Sequence, residues 1–273
     1  VRKISATTPD GLVIAASEWG NPTGAEIVFM HGYMQCSLSW RRQLADPGLA
    51  AEFRMIAYDL RGHGASEKPV EKERYTQDRL WADEVAAVIA AAGLRRPVLV
   101  GWSYSGRVIS DYLRFHGPGS IAGINFVDAV TKSGVEFFGP DHDLIDATFS
   151  EDLDANIKAT RAFLRSCFAK PPEAGDFEAM LKFNMACPAK VRASVMSRTP
   201  NPGDMLAQLT VPVLVTHGAG DRIILPAMAK FTAAAAPNAR LSLYDSVAHS
   251  PFFENAPRFN RELAAFVRSA NAP

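Results

Sequence analysis

Apolar positions along this chain fall into two alternating rhythms. Largely apolar runs at 27–30, 54–58, 97–100, 121–127, 211–216 and 241–244 have the shape of strands buried on both faces. Between them, apolar residues recur at helical spacing. Leu80, Trp81, Val85, Val88 and Ile89 mark an amphipathic helix over 77–92 that Gly93 closes, and Val108, Ile109, Tyr112, Leu113 and Phe115 mark another after Tyr104. Further helices are expected at 37–44, 227–235 and 257–269. At the start, strand-like stretches at 2–7 and 12–19 flank Pro9-Asp10-Gly11, a turn signal, and read as an antiparallel hairpin. Strands alternating with helices imply a mostly parallel sheet covered on both faces.

The rhythm breaks after Val127. From about Lys132 to Met205 no buried strand is legible, only helix-like pieces at 153–168, 177–186 and 189–197, punctuated by Pro171-Pro172, Pro188 and Asn201-Pro202-Gly203. This divides the chain into an α/β core, 1–132 and 205–273, and a helical insertion, 133–204. No internal repeat or low-complexity tract interrupts either part.

Composition narrows the function classes. The chain has 273 residues, with Lys+Arg and Asp+Glu balanced at 29 each, so bulk charge favours neither nucleic acid nor an anionic membrane. Cys36, Cys167 and Cys187 are well separated, with no C-x-x-C pair, which fits reduced thiols and a cytoplasmic location rather than a disulfide framework or a zinc site. No apolar stretch approaches the about 18 residues of a membrane span, and the first residues lack an apolar signal region. A homo-oligomer is compatible with the sequence.

The chemistry centres on 101–106, Gly101-Trp102-Ser103-Tyr104-Ser105-Gly106, where a buried strand gives way at once to a helix. A serine on that bend needs small residues two before and two after it, here Gly101 and Ser105, and a strained φ > 0 backbone. Gly106 is expected to let the helix pack closely on the strand. Ser105 is the rival serine, but its own flanks are Ser103 and Arg107, and arginine is too large for the bend. This is the nucleophile-elbow pattern G-x-S-x-G with serine in the last position, and here the chain resembles the α/β-hydrolase family. The resemblance extends over essentially the whole chain. It implies an eight-stranded, mostly parallel sheet, a nucleophile after the fifth strand, and a helical cap over the pocket after the sixth. The loop Asp59-Leu60-Arg61-Gly62-His63-Gly64-Ala65-Ser66 matches a structural signature of the same family.

A serine hydroxyl needs a base, and the family order is serine, acid, histidine. His249, after the last strand, stands at the position of the base. His31, His63 and His217 read as structural loop residues, and His116 and His142 as surface residues. Asp221, just past the 211–216 strand, matches the usual acid position; Asp128 is the rival, at the end of the sixth strand. The resemblance assigns the oxyanion donors to the backbone N–H groups of Tyr33 and Tyr104. Asp141-His142-Asp143 has metal-ligand residue types, but adjacent side chains diverge and no fourth ligand is evident, so a polar helix start is the reading. No metal or cofactor is expected.

Together these features predict a serine hydrolase that cleaves carboxylic esters of small to medium apolar substrates through an acyl-enzyme. Ser103 is the nucleophile, His249 the base and Asp221 the orienting acid. Phe137, Phe138, Phe149, Phe163, Phe168 and Met180 supply apolar cap surface. The pattern is most similar to the small capped arylesterases and cofactor-free haloperoxidases (perhydrolases). Lactonases, carbon–carbon bond hydrolases and a ligand receptor with a vestigial triad share it. Perhydrolase-like relatives commonly read His-Gly-x-Pro before the first helix, whereas this chain reads His31-Gly32-Tyr33-Met34. The loop is therefore expected to keep a free N–H and its flexibility, hydrolysis is expected to dominate over peracid formation, and proline at 34 is expected to favour the peracid.

Overall fold

The computed structural model describes residues 1–198 and 205–272. The Asn201-Pro202-Gly203 turn signal and residue 204, where the insertion is expected to end, lie outside the described residues.

Eight strands form one sheet in the order β1-β2-β4-β3-β5-β6-β7-β8. They are β1 (Arg2–Thr7), β2 (Val13–Gly20), β3 (Ala25–Met30), β4 (Phe53–Tyr58), β5 (Val98–Trp102), β6 (Gly123–Val127), β7 (Val213–Gly218) and β8 (Ala239–Tyr244). The β1–β2 and β2–β4 pairs are antiparallel and all others parallel. The central strands read as largely apolar runs because each side of the sheet carries its own core. Along β3, Val28 and Met30 pack into one core while Ile27 and Phe29 pack into the other. On β5, Leu99 joins the first, and Val98, Val100 and Trp102 the second.

The helix Asp78–Ala92 ends as expected at Gly93, which takes the left-handed conformation at φ 64°. The Gly93 N–H then reaches the Ala90 carbonyl and the Leu94 N–H that of Ile89, a Schellman closure. Some elements differ from the sequence reading. β6 and β7 start two residues later than their apolar runs, at Gly123 and Val213; in the second case Pro212 has no N–H to add to the ladder. A short helix, Pro47–Glu52, occupies a stretch read as a connection. Its signal is the pair Asp46-Pro47: Asp46 caps the Leu49 N–H at 2.8 Å, and proline takes the first helical position.

Among the described residues, the stretch between β6 and β7 contains helices and no strand, the longest being Leu153–Ser166, Ala174–Met185 and Ala189–Met196. Arg192 sits among them, 1 % exposed, and donates to Cys187 O, Thr148 O, Asn156 Oδ1, Thr160 Oγ1 and Asn184 O at 2.7–3.1 Å. One guanidinium thus collects carbonyls and side-chain oxygens from several helix ends that would otherwise be buried without donors. Asp141-His142-Asp143 lies in a short 3₁₀ helix, Pro140–Asp143, leading into Leu144–Ala147, the polar helix start expected. Cys36, Cys167 and Cys187 are buried and unbonded, and no helix among the described residues is long and apolar enough to cross a membrane.

Candidate active site

In a doubly covered sheet, polar chemistry collects where the parallel strands end, because only there does the backbone leave the apolar layers. The residues singled out from the sequence all lie at such ends. Tyr33 follows β3, Ser103 follows β5, Asp128 follows β6, Asp221 follows β7 and His249 follows β8.

Ser103 has φ 54°, the left-handed backbone expected of an elbow serine. Three backbone hydrogen bonds hold that conformation. Its N–H donates to Val127 O at 2.9 Å, and its carbonyl accepts from Gly106 N and Val130 N, each at 3.0 Å. The small residues around it clear different neighbours. A side chain at Gly101 would meet Ile109 of the following helix, Ser105–His116, at 2.6 Å. Gly106, expected to face the strand, instead clears the segment after β6, where a Cβ would come within 2.5 Å of Val130 O. Ser105 is fully buried and donates its hydroxyl to His31 O at 2.5 Å, a structural tie.

His249 and Asp221 are buried and joined, Nδ1 to Oδ2, at 2.6 Å. Asp221 Oδ1 accepts from the N–H groups of Ile223 (2.8 Å) and Ile224 (3.1 Å), which fixes the carboxylate plane. The opposite nitrogen of His249, Nε2, is buried and has no hydrogen-bond partner among the described residues. Trp102 Nε1 donates to the His249 carbonyl at 2.7 Å, so the residue before Ser103 holds the histidine loop.

Asp128 stands beside this pair. It has φ 43°, is fully buried, and accepts from Gly218 N at 2.9 Å. One ligand-type atom from each of Asp128, Asp221 and His249 lies within 4.8 Å of the others. Burial and the neighbouring Asp221 carboxylate push Asp128 well above the usual carboxylate range. Of two acids this close, Asp128 is the one whose protonated form burial favours, and Asp221 is the one bonded to histidine. His217 lies between them, its Nε2 on Ile224 O at 2.9 Å, and burial lowers its pKa.

Among the described residues, the N–H groups of Tyr33 and Tyr104 take no part in the backbone hydrogen bonds between loops and strands. The tyrosine hydroxyls point to the inserted helices, Tyr33 OH to Thr148 Oγ1 at 3.0 Å and Tyr104 OH to Val195 O at 3.4 Å. The loop carrying Tyr33 is pinned by two buried, neutral imidazoles. His31 Nε2 accepts from Leu60 N at 3.0 Å, and burial brings its pKa down to about 4. His63 Nε2 accepts from Met34 N at 3.2 Å, with its pKa down at about 3. This corrects the expectation of a free loop. The Met34 N–H is bonded, its side chain is fully buried, and its φ is 60°, a value closed to proline.

A narrow pocket opens at Ser103, walled by residues including Val130, Phe163, Ile224, Arg107 and His142. Of the apolar cap residues named from the sequence, Phe163 lines it. Phe168 and Met180 line a separate crevice beyond Trp102. Two lining residues were not legible as such. His142, read as a surface residue, is partly buried here and kept neutral by burial and by Arg107. Arg107 had a signal, since it follows the elbow serine by four residues, on the first turn of the helix.

Comparison with known proteins agrees with this architecture. A solved aryl esterase from Burkholderia cenocepacia superimposes with a TM-score of 0.94 at 39% identity, covering 98% of this chain and 99% of that one. An esterase from Rhodococcus sp. ECU1013 gives 0.93 at 34% identity, covering 99% and 100%. A bifunctional esterase/perhydrolase from Acinetobacter calcoaceticus is 28% identical over 96% of this chain and 99% of its own length. The sequence profile described as the alpha/beta hydrolase family matches residues 27–262, and the chain belongs to that family.

Proposed function

We propose that this protein hydrolyses carboxylic esters through an acyl-enzyme formed on Ser103. The observation that supports the reading most is the buried Asp221–His249 hydrogen bond of 2.6 Å, which fixes the Nδ1–H tautomer and leaves Nε2 as a proton acceptor. His249 takes the Ser103 proton as the hydroxyl attacks the ester carbonyl. Asp221 offsets the imidazolium charge. The Tyr33 and Tyr104 N–H groups receive the oxyanion, where each such donor is worth roughly 2.7–4 kcal/mol. His249 then protonates the leaving alcohol and deprotonates the water that frees Ser103.

In this reading residues 133–198 belong to a cap that roofs the pocket, and the buried thiols suit a reducing, cytoplasmic setting. Peracid formation is the second reading, favoured by similarity to the bifunctional esterase/perhydrolase. It would use the same acyl-enzyme, with hydrogen peroxide in place of water. The test is activity on p-nitrophenyl esters of graded chain length, with labelling by a fluorophosphonate. Ser103→Ala is expected to remove both, activity falling ~10⁴-fold or more. Labelling at Ser105, or full activity in the alanine variant, refutes the assignment.

A further inference from the structure

The cavity at Ser103 is apolar on most of its wall, yet Arg107 is among the residues that line it. Burial and the neighbouring Arg198 oppose its charge. Arg107 lies in the first turn of the Ser105–His116 helix, the end that carries partial positive charge and favours anions. Its Nε is inaccessible and, among the described residues, has no hydrogen-bond partner and no carboxylate in an ion pair with it. Asp111, one turn further along the same helix, is engaged by Arg198 at 2.5 Å. Arg198 has a second carboxylate, Asp78, at 3.4 Å, so its charge is compensated while that of Arg107 is not. The Arg107 guanidinium makes one attractive contact, over the Tyr104 ring at 5.5 Å. Burial and Arg198 lower its pKa, but a guanidinium stays protonated at neutral pH.

A cation kept partly desolvated and without a counterion among the described residues, in the cavity of the nucleophile, has the attributes of a subsite for an anion supplied by the ligand. We propose that Arg107 receives a carboxylate of the substrate, so that the preferred esters carry one free carboxylate on an otherwise apolar skeleton. This deepens the ester-hydrolase reading and rests on it. One guanidinium, with His142 neutral beside it, matches a singly charged, planar carboxylate that can accept two parallel N–H bonds. A phosphate dianion would find no second cation among the residues described as lining the pocket.

The test is a pair of ester series at pH 7.5. In one arm the carboxylate is on the acyl side, as monoethyl succinate, glutarate, adipate and suberate, each paired with the ethyl ester of its monoamide. In the other it is on the alcohol side, as ω-acetoxyalkanoates paired with their amides. We expect at least one acid to exceed its amide tenfold in kcat/KM. Arg107→Gln should reduce that ratio at least tenfold, and Arg107→Lys, which keeps the charge but not the fork, should restore it in part. Calorimetry of the acids on Ser103→Ala protein, with and without Arg107→Gln, reads the same contact without turnover. Amides preferred in both arms, or a ratio that Arg107→Gln does not move, overturns the subsite while the ester reading stands. If no ester is cleaved and the fluorophosphonate leaves Ser103 unlabelled, the ester reading fails. Arg107-dependent binding of an acid then still supports the anion subsite, and binding independent of Arg107 overturns it.

Discussion

Met34→Pro is the substitution for which sequence and structure give opposite forecasts. Proline fixes φ near −65°, whereas Met34 has φ 60°. The change also removes the N–H that Met34 donates to His63 Nε2 at 3.2 Å, leaving a buried imidazole nitrogen without a donor, at about 1–3 kcal/mol. Loss of the fully buried methionine side chain adds up to about 2–5 kcal/mol, the range for large-to-small core changes. The sum, about 3–8 kcal/mol before backbone rearrangement is counted, is a large part of the ~5–15 kcal/mol by which a domain is stable. Met34→Gly is the control. It loses the same side chain but keeps the N–H and tolerates φ > 0. Urea unfolding followed by circular dichroism should therefore rank the unmodified protein above Met34→Gly and Met34→Gly above Met34→Pro, the last step being at least about 1 kcal/mol. Assays of acetate with peroxide should show no gain in peracid formation for the proline variant. A proline variant as stable as the glycine variant, or one with a raised perhydrolysis-to-hydrolysis ratio in an otherwise unshifted fold, would refute the argument.

Asp221→Asn should lower kcat roughly 10³–10⁴-fold on p-nitrophenyl esters, while Asp128→Asn should be mild; the reverse ranking would move the acid to the end of β6. Because Asp128 has its pKa raised by folding, its protonated form contributes stability that is full below about pH 4 and is lost as pH rises through the folded-state value. Urea midpoints from pH 5 to pH 9 should thus drift in favour of Asp128→Asn as pH rises, and a constant difference would contradict a protonated Asp128. Arg192→Ala leaves several buried oxygens without donors and is expected to cost about 3 kcal/mol or more, read as a lower Tm, with Arg192→Lys intermediate. Phe163→Ala should move the preferred p-nitrophenyl ester toward longer acyl chains; an equal loss at every chain length would place Phe163 in packing alone.

The strands were legible because a sheet covered on both faces leaves no alternating polar register within a strand, so residues 27–30 of β3, 98–100 of β5 and 213–215 of β7 stand out as apolar runs. The elbow was legible for a steric reason, since a bend this sharp admits few residue types around Ser103. What stayed hidden depends on contacts between distant segments. His142 lines the cavity because 140–143 folds back along the chain after β7, where Asp141 N reaches Arg222 O at 3.1 Å, and no local pattern encodes that. The φ of Met34 is set by His63, a residue of the next loop. Arg107 was read only as too bulky for the bend. Its missing counterion becomes visible once Asp111 is seen to face Arg198.

The loops that carry the site are tied to one another rather than only to the sheet. Trp102 holds the His249 loop, Ser105 holds His31, His31 holds Leu60, His63 holds Met34, and Asp128 holds Gly218. A segment cross-linked in this way cannot open by itself without orphaning buried polar groups in its neighbours, so its local unfolding is coupled to that of the core. The amide protons of these loops should therefore exchange as slowly as those of the central strands. Heat should abolish turnover and melt the sheet in a single event, with no window of temperature in which the chain is still folded but inert.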